Sequence, residues 1–449
     1  MSVALDTPFK TEQSIRSVNF FNNRLLSAED LNAEKAANRA EHKQLGRALG
    51  DGIVRGLEVS VQDKALPSLT VTAGLAINRS GRAVELSDDV VVVLPTRPPT
   101  DNVTAATIAE FEECLPPQAG VYLLNEGVYL FTIQPSEVPE GRAQVSGLNG
   151  AAAGCNIKYR VSAVKFRLIS LDDQLNQELS DLQVALNAAN SATLARVRNQ
   201  QNHLLRNRVA HRCFGTGDAR LDSFSIDPFG ATATDYGLLA DLRQLGDKHP
   251  GKLTHCEVPL ALVYWTGAGL QWLDMWSVRR RITPADPSGP AWPLLADRRV
   301  SETEAMFWQF QAQTFQMQND PLENLGAISA TDRLRYLPPV GLLAIQGANS
   351  PTGFNVATFW GTRASEDIAL IDGDLLRELW QLACYHAPID LRTPDKIQLY
   401  RIYENVKAVE SQQSKQLSLV FAKRTLPYRG IARFGYAHWK LSRLAPQVI

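Results

Sequence analysis

Long hydrophobic runs are missing from this chain of 449 residues. No window of about 18 apolar residues occurs, so no membrane-spanning helix is expected. Cysteine is scarce. The five cysteines (Cys114, Cys155, Cys213, Cys256 and Cys384) are odd in number and scattered, and none forms a CxxC pair. That pattern argues against a disulfide framework and for reduced, buried thiols. An excess of either charge is also lacking. With 46 basic and 47 acidic residues the net charge is −1, so no global field draws the chain to nucleic acid or to an anionic membrane. The opening MSVALDTPFKTEQ has no basic region followed by an apolar core. No signal peptide is expected, and cytosolic synthesis fits. GxSxG, HExxH and DxDxDG are absent, which removes the local signatures of several hydrolases and metal sites.

What is present is ordinary globular composition spread over more than one core. At this length, two or three domains are expected. Residues 1–18 read as a polar arm, of the kind ordered by a neighbour. Phe20, Phe21, Leu25 and Leu26 then lead into a helix start. Ser27 is a cap and Asp30 stands three residues on, a capping-box spacing with Asp in place of Glu or Gln. The helix over 28–49 carries a thin apolar stripe (Leu31, Ala36 or Ala37, Ala40, Leu45), and Gly50 and Gly52 end it. A stripe this thin packs weakly and wants a broad partner. Alternating runs follow at Gly56–Val61, Leu69–Ile77 and Ala83–Leu94, with a turn at Asn78–Gly81. They predict a small antiparallel β-unit. Val121–Ile133 and Tyr159–Ile169 are further strands, and Gly147–Gly154 is a loop.

Asp172 to His211 is the longest helical signal, with Leu175, Leu179, Leu182 and Leu186 at spacings of four and three. Unbroken, about 40 residues would span about 60 Å as a coiled-coil-like helix. Asn187, Asn190 and Ser191 weaken the middle, which leaves a break or a helical hairpin open. Val258–Trp265 and Leu270–Ile282 flank Thr266-Gly267-Ala268-Gly269 as a β-hairpin. Thr283–Pro293 reads as a Pro-rich linker. Ser301 with Glu304 predicts a capped helix to Met317, apolar nearly all round with Phe307, Trp308, Phe310 and Phe315, and so buried on more than one face. Leu375–His386 is a short helix. Ile397–Val409 pairs with Leu417–Ala422 across a polar turn at Glu410–Lys415.

No constellation carries chemistry. His203 and His211 fall about 80° apart on one helix without a carboxylate partner, as core or solvated histidines do. His249, His255 and Cys256 lack a fourth zinc ligand. Arg279-Arg280-Arg281 lies near Trp272 and Trp276. On a strand Arg279 and Arg281 share a face opposite Arg280, which suits structural or subunit-interface salt bridges, to Asp274 or to a partner's acids, better than nucleic acid. The apolar segments are more telling: they read either as ordinary intrachain core or as a subunit interface, where aromatic anchors are enriched.

Several blocks together resemble a known pattern. Asn19–Leu31 (NFFNNRLLSAEDL) is similar to "YFxGxLLTAEDL", Gly52–Val59 to "GxGxVxGLEV", and Val71–Ala83 to "xVxPGLAIDxxGRxL". Val258–Ile282 and Tyr336–Gly341 are similar to "VPLA…DxWxVRRRI" and "YLPPxG". Asn23 replaces a frequent Gly, and Ala73 replaces the Pro before Gly74. The pattern is that of large accessory proteins of contractile injection systems, the phage-tail-like devices of bacteria. The resemblance implies a structural cage or extension at the baseplate around the spike. It implies no catalytic residues, cofactor or metal.

The expected fold is α+β and multi-domain, with antiparallel β-rich modules linked by long helices. The expected division is an arm (1–18), a helix plus antiparallel β-domain (19–170), a long helical, coiled-coil-like segment (171–215), a β-hairpin module with the Pro-rich linker (216–298), and a C-terminal α+β domain (299–449). The expected partners are other baseplate, spike and tube proteins and further copies of the chain, with no nucleic acid and no direct membrane span. Assembly would be cytoplasmic, in a particle either membrane-anchored or released. Candidate interface residues are Phe20, Phe21, Leu25, Leu26, Leu179, Leu182, Leu186, Arg279, Arg281, Phe307, Trp308 and Phe310. Two other functions are carried forward. One is a carbohydrate- or envelope-binding module using Trp265, Trp272 and Trp276. The other is a cell-wall hydrolase, which no motif supports.

Overall fold

Ser27 starts the first helix as its sequence demands. In a computed structural model that describes residues 14–94, 125–144, 155–216, 237–282, 292–345, 353–364, 369–372, 388–394, 397–403 and 418–423, helix α1 covers Ala28–Leu49. The Ser27 hydroxyl accepts from the Asp30 amide at 3.2 Å and Asp30 Oδ2 accepts from the Ser27 amide at 3.2 Å. Two orphan donors are thus satisfied reciprocally. Gly50, at φ 101°, ends the helix, in a backbone region that favours glycine.

Six short strands follow: β1 (Gly52–Gly56), β2 (Val59–Ser60), β3 (Ser68–Val71), β4 (Gly74–Ile77), β5 (Ala83–Leu86) and β6 (Val90–Val93). They form two three-stranded antiparallel sheets, ordered β1-β4-β5 and β2-β3-β6. The chain turns from one sheet to the other at Gly56 and Leu57, both at positive φ (57° and 56°). Leu57 is fully buried, so packing holds a left-handed conformation that a side chain rarely adopts. The neighbouring ribbon turns at Thr72 and Ala73, held by the Leu57 amide to the Ala73 carbonyl and the Thr72 amide to the Glu58 carbonyl. The expected β-unit is therefore two small sheets joined at a corner.

A four-stranded sheet lies beside it. Strands β7 (Gly127–Gln144), β8 (Cys155–Ser170), β9 (Val258–Thr266) and β10 (Gly269–Asp274) are ordered β10-β9-β7-β8, all antiparallel. Period-2 alternation divides its side chains between two cores. Tyr129, Phe131 and Ile133 of β7 face the small sheets and pack with Leu57, Val71 and Leu86. Val128 and Leu130 face helices and pack with Leu175, Leu182, Leu205 and Val209. The expected domain boundaries at 170 and 216 thus fall within one sheet, and the helical segment is its outer layer.

That segment is not one long helix. It is α2 (Asn176–Ala188) and α3 (Leu194–Cys213). Asn190 makes the break by accepting from the Thr193 amide at 3.0 Å and hydroxyl at 2.9 Å, a local bond that competes with helix. Asp181–Arg208 (3.0 Å) and Glu178–Arg212 (3.1 Å) then pair in antiparallel register. The break-or-hairpin alternative is the one realised, and the 60 Å helix is not. A short α4 (Leu238–Gln244) completes the layer with Leu238 and Leu242.

The C-terminal unit is built on α5 (Trp292–Asn319). Ser301 is inside this helix and not its cap. Its hydroxyl reaches the Arg281 carbonyl. Phe310 and Met317 of α5 share a core with Leu343, Phe354, Phe359, Ile397 and Leu399. After a four-residue α6 (Ala330–Arg333) and β11 (Tyr336–Leu337) come β12 (Gly341–Ala344), α7 (Val356–Trp360), β13 (Ala369–Asp372), β14 (Ile389–Asp390), β15 (Ile397–Tyr403) and β16 (Ser418–Lys423). The sheet is ordered β12-β16-β15-β13, with β13 parallel to β15 and β15 antiparallel to β16 as expected. The 147–154 loop, the 375–386 helix, the 410–415 turn and residues 283–291 of the expected Thr283–Pro293 linker lie outside the described residues, and the linker's last two residues already belong to α5. The architecture is α+β and multi-domain. No described helix is long and apolar enough to cross a membrane.

Candidate interaction surface

Helix α1 is fastened to the body by few groups. Gly46 packs directly on Gly81: a Cβ at Gly46 would meet the Gly81 carbonyl oxygen at 1.9 Å. Arg39 reaches Glu137 of β7 at 3.1 Å. Glu137 is buried, with Arg82 at 4.0 Å and Arg160 at 3.9 Å also around its carboxylate. Burial holds the Arg82 guanidinium below its ordinary range, and the nearby Arg39 charge adds to that. The leader is tied by Arg24 to Asp30 at 2.6 Å and by the Val18 amide to Glu34 at 3.0 Å.

Only Ala37 and Gly46 of α1 are buried. Leu31 and Leu45, expected in the packed stripe, point outward together with Leu49, and each is more than half exposed. Phe20, Phe21, Leu25 and Leu26 are exposed by half or more, Leu25 by 93%. Seven large apolar residues within about thirty residues of chain are therefore half or more exposed among the described residues. Exposed apolar residues in this number are the candidates for an interaction surface.

The other candidates divide. Leu182 is 2% exposed, and Leu179 and Leu186 pack beside it against the central sheet. That seam packs into the chain's own core, with Leu182 buried and Leu179 and Leu186 partly buried. Phe310 is likewise buried. Arg279 is buried and donates to the Leu57 carbonyl at 2.6 Å and to the Gly56 carbonyl. It locks the corner where the small sheets meet, and burial lowers its pKa. Strand β10 stops at Asp274, because Asp274 Oδ1 accepts from the Ser277 amide at 3.0 Å and turns the chain. The expected strand alternation of the three arginines does not exist. Arg280 folds back on the Trp276 and Ser277 carbonyls and lies 4.7 Å from the Phe214 ring centroid. Arg281 is exposed and meets Glu304 at 3.3 Å.

Helix α5 is not buried all round. Trp308 and Phe315 are exposed on the outer side, while Phe307 is half-buried and lies edge-on to Trp308. Trp308 stacks on Trp276 with centroids 5.6 Å apart. These rings and Leu342 line a groove of about 540 Å³ between α5 and β12. The edge of β12 is closed there by Gln311, whose amide accepts from the Leu342 amide at 2.8 Å and donates to its carbonyl at 3.1 Å. A side chain thus stands in for a neighbouring strand. Trp272 is buried, so Trp265, Trp272 and Trp276 do not form a common stacking platform.

Buried polar groups form an organised network. Asp274, at the end of β10, accepts from Arg206 Nε at 2.7 Å and Gln309 Nε2 at 3.1 Å. Gln313 Nε2 donates to the His203 carbonyl at 2.9 Å. Asn207 Oδ1 accepts from the Arg335 and Tyr336 amides at 2.8 and 2.9 Å. This network joins the central sheet, α3 and the C-terminal unit. No single residue in it had a motif, so only the pattern of polar residues on one helix face could have signalled it. His203 and His211 are buried and held neutral, both pushed down to about 3, chiefly by burial. His211 stacks on Tyr336 at 4.8 Å. Cys213 is free, buried and pushed up to about 12 by burial. Cys256 is disulfide-bonded, which corrects the expectation of reduced thiols throughout. The side chains of Cys114, Cys155 and Cys384 lie outside the described residues. Among the described residues no group of three or more His, Cys, Asp and Glu could hold a metal ion.

No protein-family model matches the chain, and no curated protein matches it. Among solved structures it is similar to a chain of the TssK–TssF–TssG baseplate subcomplex of the type VI secretion system. The identity is 12%, over 42% of this chain and 77% of that one, with a TM-score of 0.20. It is also similar to the crystal structure of TssK, at 10% identity over 55% of this chain and 66% of that one, with a TM-score of 0.21. These neighbours are type VI secretion baseplate proteins, and TM-scores this low do not show a shared fold.

Proposed function

We propose that this chain is a non-catalytic structural subunit of a contractile injection particle, seated at the baseplate around the spike through its N-terminal leader and the outer face of α1. The observation that carries a docking role is the uncovered apolar surface from Phe20 to Leu49. The identity of the particle rests on the motif resemblance of Asn19–Leu31, Gly52–Val59 and the later blocks. The subunit would brace the baseplate before firing and give way on sheath contraction, in a particle assembled in the cytoplasm. The buried acids Glu137, Glu257, Asp274 and Glu323 are each engaged by an arginine, which fits scaffolding roles. The test is tagged-chain purification from the native host. The unmodified chain should bring down sheath, tube and baseplate proteins. Leu25→Asp with Leu45→Asp should fold with unchanged melting temperature yet lose them. Normal incorporation of that folded double variant would overturn the proposal.

A further inference from the structure

Strands β7 and β8 run beyond both cores as a two-stranded ribbon. Asn156 to Ser162 is exposed at every residue, as is Val138 to Arg142 apart from its inner neighbours. The register sets Val138 opposite Val161, Glu140 opposite Tyr159 and Arg142 opposite Ile157. Val138, Ile157, Tyr159 and Val161 therefore share one face, and all four are exposed. Nearer the body the same face is covered by the α2–α3 hairpin, through Leu130 and Ile169. Among the described residues strand β8 is also the edge of its sheet, with no described strand on its other side. An isolated two-stranded ribbon is marginal in water, and an open edge with an apolar strip is a template for another strand.

Charge decides what that strand is. Lys158 and Arg160 alternate with the apolar residues. Lys158 Nζ lies 4.8 Å from the Tyr159 ring centroid, and both side chains lie beside Gly141 of β7. Arg160 keeps Glu137 within ion-pair reach at 3.9 Å, which leaves Lys158 as the main selecting charge. A second copy is disfavoured. Antiparallel registers centred on Lys158, Tyr159 or Arg160 keep the apolar residues together, but each sets Lys158 or Arg160 opposite itself or the other. Like charges directly opposite destabilise a strand pair. We infer that the edge of β8 from Asn156 to Ser162 docks an extended segment of a different protein, in which apolar residues alternate with acidic ones. This docking mode is β-strand addition, with main-chain bonds giving affinity and alternate side chains giving selectivity.

The inference does not depend on the particle role proposed above, and its test uses the full chain alone. Two fluorescein-labelled peptides serve as probes, one alternating valine with glutamate and one alternating valine with lysine, and a third is the glutamate peptide with every amide N-methylated. The expected result is that the acidic probe binds, the basic probe does not, and N-methylation abolishes binding. Hydrogen exchange should slow at 156–162 when the acidic probe is bound. Lys158→Glu, at an exposed site, should weaken the acidic probe about fivefold and admit the basic one, since an attraction becomes a repulsion. Tyr159→Ser should weaken the acidic probe. Absence of acidic-probe binding at millimolar concentration overturns the inference, as does equal binding of the acidic and basic probes or of the N-methylated form. Dimerisation of the chain that Tyr159→Ser dissolves would also overturn it, because the occupant would then be a second copy.

Discussion

Replacing Asp274 by alanine should loosen the joint between the central sheet and the C-terminal unit. Asp274 is buried at the end of β10. It takes Arg206 Nε at 2.7 Å, Gln309 Nε2 at 3.1 Å and the Ser277 amide at 3.0 Å. Those donors come from α3, from α5 and from the turn after β10. Without the carboxylate, Arg206 stays buried as a cation beside Gln316 Oε1 at 2.6 Å. Breaking a buried pair by removing one partner costs about 3–5 kcal/mol, most of it the penalty of the charge left behind. Replacing both partners with apolar groups of similar size leaves no such charge. Asp274→Leu with Arg206→Met should therefore cost much less than the sum of the two single changes, with a coupling of about 2–3 kcal/mol. The assay is urea unfolding of the four proteins of the double-mutant cycle, followed by the buried tryptophans Trp272 and Trp360. The asymmetry has a structural readout as well. In Asp274→Ala the transition should split, because α5 loses a bond to β10 that the rest of the network does not replace. Single-variant losses below about 1 kcal/mol, or a coupling near zero, would show that the pair is solvated and that the two units are not locked through it.

Three further outcomes follow from burial and close packing. His203 and His211 are held at about 3 against an ordinary 6.5. Below pH 6.5 the unfolded chain binds protons that the folded chain refuses. Each histidine should therefore remove about 2 kcal/mol of stability between pH 6.5 and 5, with full stability regained above 6.5. Urea unfolding against pH should show this slope, and His203→Leu should roughly halve it. Gly46→Ala puts a Cβ 1.9 Å from the Gly81 carbonyl oxygen, backbone against backbone. A loss of about 1–3 kcal/mol is expected, seen as faster proteolysis within α1 with little change in the melting of the body. Leu182→Ala removes a core side chain and should cost about 2–5 kcal/mol. Leu25→Asp, at a side chain in solvent, should leave the melting temperature unchanged. Equal effects of those two changes would contradict the assignment of one to the core and the other to the docking surface.

Local signals set the elements. Ser27 and Asp30 place the start of α1 to the residue, because a capping box is made by neighbours in sequence. The Thr266–Gly269 hairpin and the pairing of β15 with β16 are equally local, set by turn residues and period-2 alternation. The weak middle of the 172–211 segment was visible in Asn190, and its side chain makes the break. What the pattern did not give is where a face points. The Leu179–Leu182–Leu186 seam has the spacing of a subunit interface and also of a core, and only the position of the central sheet makes it core. Leu31 and Leu45 have the spacing of a packed stripe, yet close contact of Gly46 with Gly81 rotates the helix so that they face out. Strand alternation for Arg279–Arg281 failed because Asp274 caps a turn there, and a side-chain cap outranks a propensity.

The sequence by itself determined the class, α+β in several units, and most of the helices and strands, since caps, turns and periodicity act over a few residues. Tertiary structure decided that strands over a hundred residues apart share one sheet, that Arg279 clasps a chain corner, and that the histidines are buried and neutral. It also decided which apolar residues remain in solvent from Phe20 to Leu49 and along Ile157–Val161. The physical reason is that burial is a property of what packs against a side chain, and for this chain those partners come from elements far away in sequence.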